Sequence, residues 1–531
     1  MHIPVNASDL PPGVLPSIAK QIRSKLIPSC GDPRSKFLPV GELESILTHD
    51  VIESVLQEIL VSEPADLSTK IQDKDKPTLK IFATLILIEQ ASSIGQFIEH
   101  GVSDDQLPLA PEDTCFQNWH WGDYQIDSFC DSQYMLTAPV FNFTKFQHFE
   151  LDKSFRMPFL ERLEWKARGT HGEIAKVKIH PHHERWEGHS ISDHRISYFA
   201  VKRFTSGDAT EFDKEQTALL QFSDSRNEHK NLIKLLQSYQ LGDEYYMIFH
   251  WAQGNLAEFW EKHPSEPQKK EGWTWLIQQC LGMSDGLSKV HGHNRPPERL
   301  RDSSEEIEEN VQDQGRHGDI KPENILFFKD TESSEWYFVI ADFTLMRFHA
   351  DGTINNTHAS QIDYTRMYCP PEVELGPNVT QSYDIWTLGC VYLEIITWYL
   401  LGYDAVRNDT FETSSGHKEL SFRSRRQKED GYPLHSGGKH SGDKFFILSR
   451  RSTPRWVRFL RNNEHCSDAI HDFLALIVNH MVVPSPENRY SMDKVREELQ
   501  RIASTCANDT DYCYTGNPQG FLKRWIFDLL F

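Results

Sequence analysis

Apolar residues change their spacing along this chain, and the change separates helical from extended stretches. Near the N-terminus Pro39-Val40-Gly41-Glu42 leads into Leu43, Ile46 and Leu47. After Asp50, Val51, Val55 and Ile59 form one stripe, with Ile52, Leu56 and Leu60 beside it. Leu79, Phe82, Ile86 and Leu87 continue the theme. Steps of three and four residues put such positions on one helical face, so the region is predicted to be helical. Phe116, Trp119, Trp121, Tyr124 and Phe129 then crowd a short span, which suggests packing against another surface. Further on the period changes. Phe199-Ala200-Val201-Lys202-Arg203-Phe204 alternates as a strand does. Tyr245-Tyr246-Met247-Ile248-Phe249 and Trp336-Tyr337-Phe338-Val339-Ile340-Ala341 are apolar runs of strand length. Between Phe204 and Tyr245, Glu215 and Leu219 share one face of a helical stretch.

Composition narrows the picture. At 531 residues the chain has room for roughly two to four domains and a sizeable core. Lys plus Arg number 56 against 77 Asp plus Glu, a net charge of −21. That balance argues against nonspecific binding to nucleic acid or anionic membranes, and favours basic substrates or partners. The nine cysteines are scattered, with no Cys-x-x-Cys pair, and several, such as Cys280 and Cys390, lie in apolar contexts. They read as reduced core thiols of a cytoplasmic or nuclear protein, not as a disulfide frame or zinc site. Met1-His2-Ile3-Pro4-Val5 lacks a signal-peptide pattern. The apolar stretch from Ile81 to Ile88 is too short to span a bilayer, so no transmembrane segment is expected. Sites such as Asn142-Phe143-Thr144 are then incidental to glycosylation. Oligomeric state is not legible.

One run carries chemistry: His317-Gly318-Asp319-Ile320-Lys321-Pro322-Glu323-Asn324-Ile325-Leu326. It supplies a carboxylate, a lysine and an asparagine at short intervals. Phosphoryl transfer needs a carboxylate to take a hydroxyl proton, a cation at the migrating group and an oxygen to hold a metal. Downstream, Asp342-Phe343-Thr344 ends the apolar run at Ala341, where a metal-binding carboxylate belongs. Thr365-Arg366-Met367-Tyr368-Cys369-Pro370-Pro371-Glu372, Ser382-Tyr383-Asp384-Ile385-Trp386-Thr387-Leu388-Gly389 and Pro486-Glu487-Asn488-Arg489 follow in order. Upstream stands Ala167-x-Gly169-x-x-Gly172-x-Ile174.

Together these motifs resemble the eukaryotic-type protein kinase superfamily, over about residues 155 to 503. Lys321 and Thr365 resemble the Ser/Thr rather than the Tyr subclass. The hinge-like segment, His317-Gly318-Asp319 and Pro370-Pro371-Glu372 together resemble a group of kinases of filamentous fungi. The resemblance implies an α+β, bilobal kinase fold and transfer of the γ-phosphoryl of ATP, with Mg²⁺, to Ser or Thr of protein substrates. Asp319 would accept the hydroxyl proton and Lys321 would stabilise the transferred group, while Asn324 and Asp342 would hold the metal. Gly169, Gly172, Ile174, Ala200, Lys202, Phe249, His250, Trp251, Ala252 and Leu326 would line the ATP site. Glu215 would pair with Lys202, with Glu211 as its rival; on its own, Lys202 reads as an exposed strand lysine. Thr365 would face the substrate. Asp384 would fix the catalytic-loop backbone, and Glu372 with Arg489 would form a buried structural pair.

Two positions depart from the family pattern. Gly318 stands where most kinases carry Arg, and Thr344 replaces the glycine of the metal-binding motif. The alternative to an active kinase is a pseudokinase or scaffold that binds nucleotide or partners without efficient turnover. The expected organisation is a helical extension at 1–150 and a kinase domain at 155–503, its small lobe ending near 252 and its large lobe running from 253. A C-terminal tail occupies 504–531, with a strongly aromatic end read as packing on its own domain. Insertions are expected at 179–197, 294–315 and 404–442. The histidine-rich first reads as a solvated loop rather than a metal site, the second as a disordered acidic loop, and the third as a flexible surface segment.

Overall fold

The computed structural model describes residues 13–30, 32–59, 63–117, 119, 121–167, 172–186, 198–204, 209–223, 228–264, 271–292, 314–330, 333–343, 347–349, 368–375, 380–413, 416–429 and 452–515. They form two compact units. One comprises Met1–Phe212 with Leu235–Trp251, the other Asp213–Lys234 with Ala252–Phe531.

In the first unit the predicted N-terminal helices form. His49–Glu58 buries Ile52, Val55 and Leu56, and Leu79–Leu87 is buried from Ile81 to Leu87. Leu60 lies outside the described residues. The aromatic cluster closes on this helical core rather than on another surface. Phe97 sits 4.5 Å from the Trp119 ring and stacks on Phe129 at 5.2 Å, while Tyr124 points outward, 84% exposed. A seven-stranded sheet completes the unit, in the order His148–Leu151, Gln237–Leu241, Glu244–His250, Tyr198–Phe204, Glu173–Ile179, Phe159–Arg162, with Lys166–Ala167 also pairing on Glu173–Ile179. All pairings are antiparallel except the first, which is parallel. Phe199, Val201, Val177 and Ile248 alternate inward over one core with Phe141 and Phe159.

The extension is stitched onto this sheet by contacts that no sequence period announces. A hairpin of Ile27–Ser29 and Asp32–Phe37 reaches the Phe159–Arg162 edge, where the Ser29 hydroxyl donates to Met157 O at 2.7 Å and Arg156 Nη1 to Lys36 O at 2.8 Å. At the opposite edge His148–Leu151 adds a parallel strand. Unpaired edges invite intermolecular pairing, and here the hairpin covers the Phe159–Arg162 edge, with Cys30 N donating to Phe159 O.

The histidine-rich insertion therefore reads differently in three dimensions. Pro181–His183 is a tight turn, and His183 is 1% exposed. The Phe37 ring meets His180 and His183 edge-on at 5.9 and 5.2 Å, and His183 Nδ1 lies 2.8 Å from Pro139 O. A solvated loop is thus incorrect for residues 180–183, because the extension supplies apolar cover that the period of the insertion itself cannot reveal. Residues 187–197 lie outside the described set. Among the described residues no group of three His, Cys, Asp or Glu is placed to hold a metal.

The second unit is mainly helical. Glu271–Gly292 packs on Met492–Asn508, and Ser382–Leu401 runs through the core with every residue from Tyr383 to Leu400 buried. By length and apolarity this last helix qualifies as a membrane span, at mean hydropathy 1.2, but 94% of it is buried inside the protein. Apolarity on all faces follows from that burial. Gly254–Asn255, Ile325–Lys329 and Trp336–Ile340 form a small antiparallel sheet under the catalytic run. The 404–442 insertion is another correction. Tyr403–Arg407, the hairpin Thr410–Glu412 with Lys418–Leu420, and Phe422–Glu429 are ordered, and Phe411 and Phe422 pack on the Trp456 ring at 6.1 and 5.6 Å. Of the Ser, Gly, Lys and Arg content that suggested a flexible segment, only the glycines are concentrated in 430–442, outside the described residues, whereas every Arg falls in the ordered part. The 294–315 insertion lies outside them except for its end, where Gln314–Arg316 pairs with Arg347–His349. The nine cysteines are all unpaired thiols, seven of them buried. The aromatic end of the tail, 516–531, lies outside the described residues.

Candidate active site

The catalytic run hangs from the buried central helix. Asp384, fully buried, accepts from His317 N at 2.8 Å and Gly318 N at 2.9 Å, and its Oδ2 lies 2.9 Å from His291 Nε2. Burial works to raise the Asp384 pKa, but its bonds to His291 and to these amides outweigh that and hold it below the usual value. Gly318 takes φ +86°, a left-handed conformation that glycine adopts without a Cβ penalty. His317 turns inward, its Nε2 3.2 Å from Ala341 O and its ring edge-on to Phe343 at 4.9 Å. Phe343 in turn meets Phe222 of the Ala209–Ser223 helix at 5.8 Å.

These anchors project Asp319, Lys321 and Asn324 together. Lys321 Nζ lies 2.5 Å from Asp319 Oδ2, and Asn324 Nδ2 donates to Asp319 Oδ2 at 2.8 Å and to Asp319 O at 2.9 Å. With its amide nitrogen engaged, Asn324 turns its side-chain oxygen to the other side. Ala341 N donates to Asn324 O at 2.9 Å, which ties the Asp342 segment to the loop. Asp342 itself is half-buried at φ +69°, a region that Asp tolerates better than most residues. Burial, first, and the Asp342 charge raise the Asp319 pKa above its ordinary 3.8, while Lys321 acts against them. The donor set offered by Asn324 and Asp342 is all oxygen, which fits a hard divalent cation.

Below this cluster, Arg489 forks onto Glu372, with Nη1–Oε1 at 2.6 Å and Nη2–Oε2 at 2.7 Å. It also donates to Val483 O and Ser382 O, and its guanidinium lies 4.9 Å from the Trp386 ring centre. Leu326 sits in strand Ile325–Lys329, opposite Val339 and Asn255. Glu215 is buried at 2% exposure on Ala209–Ser223, along with Leu219, whereas Glu211 is only half-buried.

The remaining predicted positions belong to the first unit, Ala252 excepted. Ala200 and Lys202 lie on the central strand Tyr198–Phe204, with Lys202 8% exposed, so the exposed-strand reading of this lysine does not hold. Ile174 pairs with Lys202 across the sheet. Gly172 adopts φ +100°, and a Cβ there would stand 2.7 Å from Arg203 O, so the turn admits glycine alone. Phe249 and His250 end strand Glu244–His250, Trp251 N donates to Tyr198 O at 3.2 Å, and the His250 ring stacks on Trp186. Gly169, Thr344 and Thr365 lie outside the described residues.

Sequence reasoning missed His291, whose partner Asp384 is remote in the chain. It also missed a buried pair: the Tyr368 hydroxyl donates to Glu394 Oε2 at 2.9 Å, and Glu394 is 1% exposed. A glutamate inside the apolar run of Ser382–Leu401 was the available signal.

The fold is the α+β, bilobal fold of protein kinases, and residues 310–499 match the family model described as protein kinase domain. Among relatives, the chain is 28% identical to the leucine-rich repeat receptor protein kinase MSP1 of Oryza sativa subsp. japonica over 37% of its own length and 13% of that protein. Identity is 26% to the chitin elicitor receptor kinase 1 of Physcomitrium patens, over 58% of this chain and 41% of that one. It is 28% to the dual specificity protein kinase CLK4 of Mus musculus, over 34% and 38%. The chain thus spans less than half the length of each of these relatives.

Proposed function

We propose that this protein is an active serine/threonine protein kinase, similar to a group of kinases of filamentous fungi. The observation that carries the reading is the Asp319–Lys321–Asn324 cluster, held from beneath by Asp384. Asp319 orients the acceptor hydroxyl and takes its proton, for which it must be ionised. Lys321, already beside that carboxylate, compensates the charge of the group in transfer. Asn324 and Asp342 would hold Mg²⁺, which when bound neutralises phosphate charge. Lys202 would serve the phosphates, and Gly172 would bring backbone close to them. The backbone of His250 to Ala252 receives the adenine. Lys321 together with Thr365 in the sequence favours Ser or Thr as the acceptor. The unpaired thiols support a cytoplasmic or nuclear setting.

The test is labelled-ATP transfer to a basic protein by the wild type and by Asp319→Asn. The variant is expected to bind nucleotide as before and to turn over on the order of 10²-fold more slowly. Phosphoamino-acid analysis is expected to give phosphoserine and phosphothreonine; a product dominated by phosphotyrosine refutes the subclass. A wild type that binds nucleotide but never transfers phosphate is a pseudokinase.

A further inference from the structure

The ordered part of the 404–442 insertion reaches the catalytic run through one side chain. Arg407 ends the short helix Tyr403–Arg407, directly after the central helix. Its Nη1 lies 3.4 Å from Glu323 Oε1, its side chain is 12% exposed, and its guanidinium carbon stands 5.3 Å from the Trp260 ring centre. Glu323 belongs to the Pro322–Asn324 turn and directly precedes Asn324, whose amide grips Asp319. Arg407 also faces Glu394 and Tyr368 electrostatically, and Arg426, on Phe422–Glu429, faces Glu394 as well.

The charges balance. Two carboxylates, Glu323 and Glu394, lie in the field of two guanidinium groups, Arg407 and Arg426, both from the insertion, and Arg407 contacts Glu323 directly. A carboxylate as deeply buried as Glu394 needs compensation, and a planar guanidinium under an aromatic ring gives it in a fixed direction. A fixed guanidinium in turn fixes whatever it holds at its open end. That is Glu323, whose side chain is 46% exposed and would otherwise be free to swing. Among the described residues Glu323 is the carboxylate within ion-pair distance of Arg407.

We propose that Arg407 is a positioning residue of the phosphotransfer site. Through Glu323 it sets the Pro322–Asn324 turn, and with it the Asn324 amide that steers the Asp319 carboxylate. This rests on the kinase reading above. The insertion is then a clamp on the catalytic run, and the same network, through Glu394, anchors Tyr368 at the end of the substrate-facing segment.

The experiment is a double-mutant cycle on the full chain. Arg407→Met keeps apolar bulk under Trp260, and Glu323→Gln breaks the same contact from its half-exposed side, where folding is not at stake. Each variant is expected to lower kcat about tenfold with KM for ATP within about twofold. The double variant is expected to lose no more than either single one. Amide exchange at residues 319–325 is expected to quicken in both single variants. A merely structural Arg407 would lower melting temperature in Arg407→Met and leave Glu323→Gln silent. The proposal is overturned if Glu323→Gln keeps wild-type kcat and exchange, or if the two losses multiply. Absence of transfer by the wild type overturns the kinase reading instead, and the wild-type control tells the two failures apart.

Discussion

At the scale of single residues, burial decides which charges are costly and which are poised. Glu184 is 7% exposed, and burial lifts its carboxyl to about 7, against a weak opposing bond from Trp186 Nε1. A carboxyl whose folded pKa is raised stabilises the fold while protonated, so its contribution is lost as pH rises from the ordinary 4.5 through about 7. The wild type is therefore expected to lose on the order of 1 kcal/mol between pH 6 and pH 8 that Glu184→Gln does not lose, read by denaturant melts of both proteins. Asp319 is raised in the same way, and its task requires the ionised form. The acid limb of kcat/KM is expected above the ordinary aspartate value of 3.8, and a limb at or below it contradicts the geometry. Glu372→Gln leaves the Arg489 guanidinium buried and half-paired. It is expected to cost about 3–5 kcal/mol of stability, since breaking one side of a buried pair strands the other charge.

At the scale of elements, side chains remote in sequence decide where strands and loops may lie. Gln237 is fully buried: its Oε1 accepts from Gln147 N at 2.7 Å, and its Nε2 donates to Asn142 O and Lys145 O. One amide thus satisfies three backbone groups of the segment that leads into strand His148–Leu151. Gln237→Leu orphans all three, at about 2–4 kcal/mol, and amide exchange is expected to quicken first in residues 142–151. Protection there equal to the core strands would show that the parallel pairing holds on its own. The Asp384 anchor follows the same logic. The helix that carries it was legible only through the motif Ser382–Gly389, and the three donors gathered on its carboxylate come from two other segments.

For the molecule as a whole, the helical extension and the β-sheet share one unit, so residues 1–150 serve as part of the body that carries Gly172 and Lys202. Removing residues 1–138 would strip cover from His183, Phe159 and the sheet edge at Phe159–Arg162. The truncated chain is expected to melt at least several degrees lower or to aggregate, checked by thermal scans and light scattering. Acid acts on the same seam. Burial holds His180 and His183 near 4, so their neutral forms favour the folded state, and that contribution is lost as pH falls from 6.5 toward 4.

The chain itself determined its chemistry and the type of most elements. Phosphotransfer requires a few residue types at short fixed intervals, and intervals within one loop survive in the sequence. Hence Asp319, Lys321 and Asn324 were legible, and so were the helices at 49–58 and 79–87, whose period is local. What only the tertiary structure decided involves partners far apart in the chain: His291 on Asp384, Arg407 on Glu323, Phe37 on His183, and the extension on the sheet. Those contacts follow from the closing of long loops around a shared apolar core, and no local period records them. For the same reason the insertions at 179–197 and 404–442 looked solvated. Their composition is polar, but the residues that cover His180 and His183 and pack on Phe411 and Phe422 lie elsewhere in the chain.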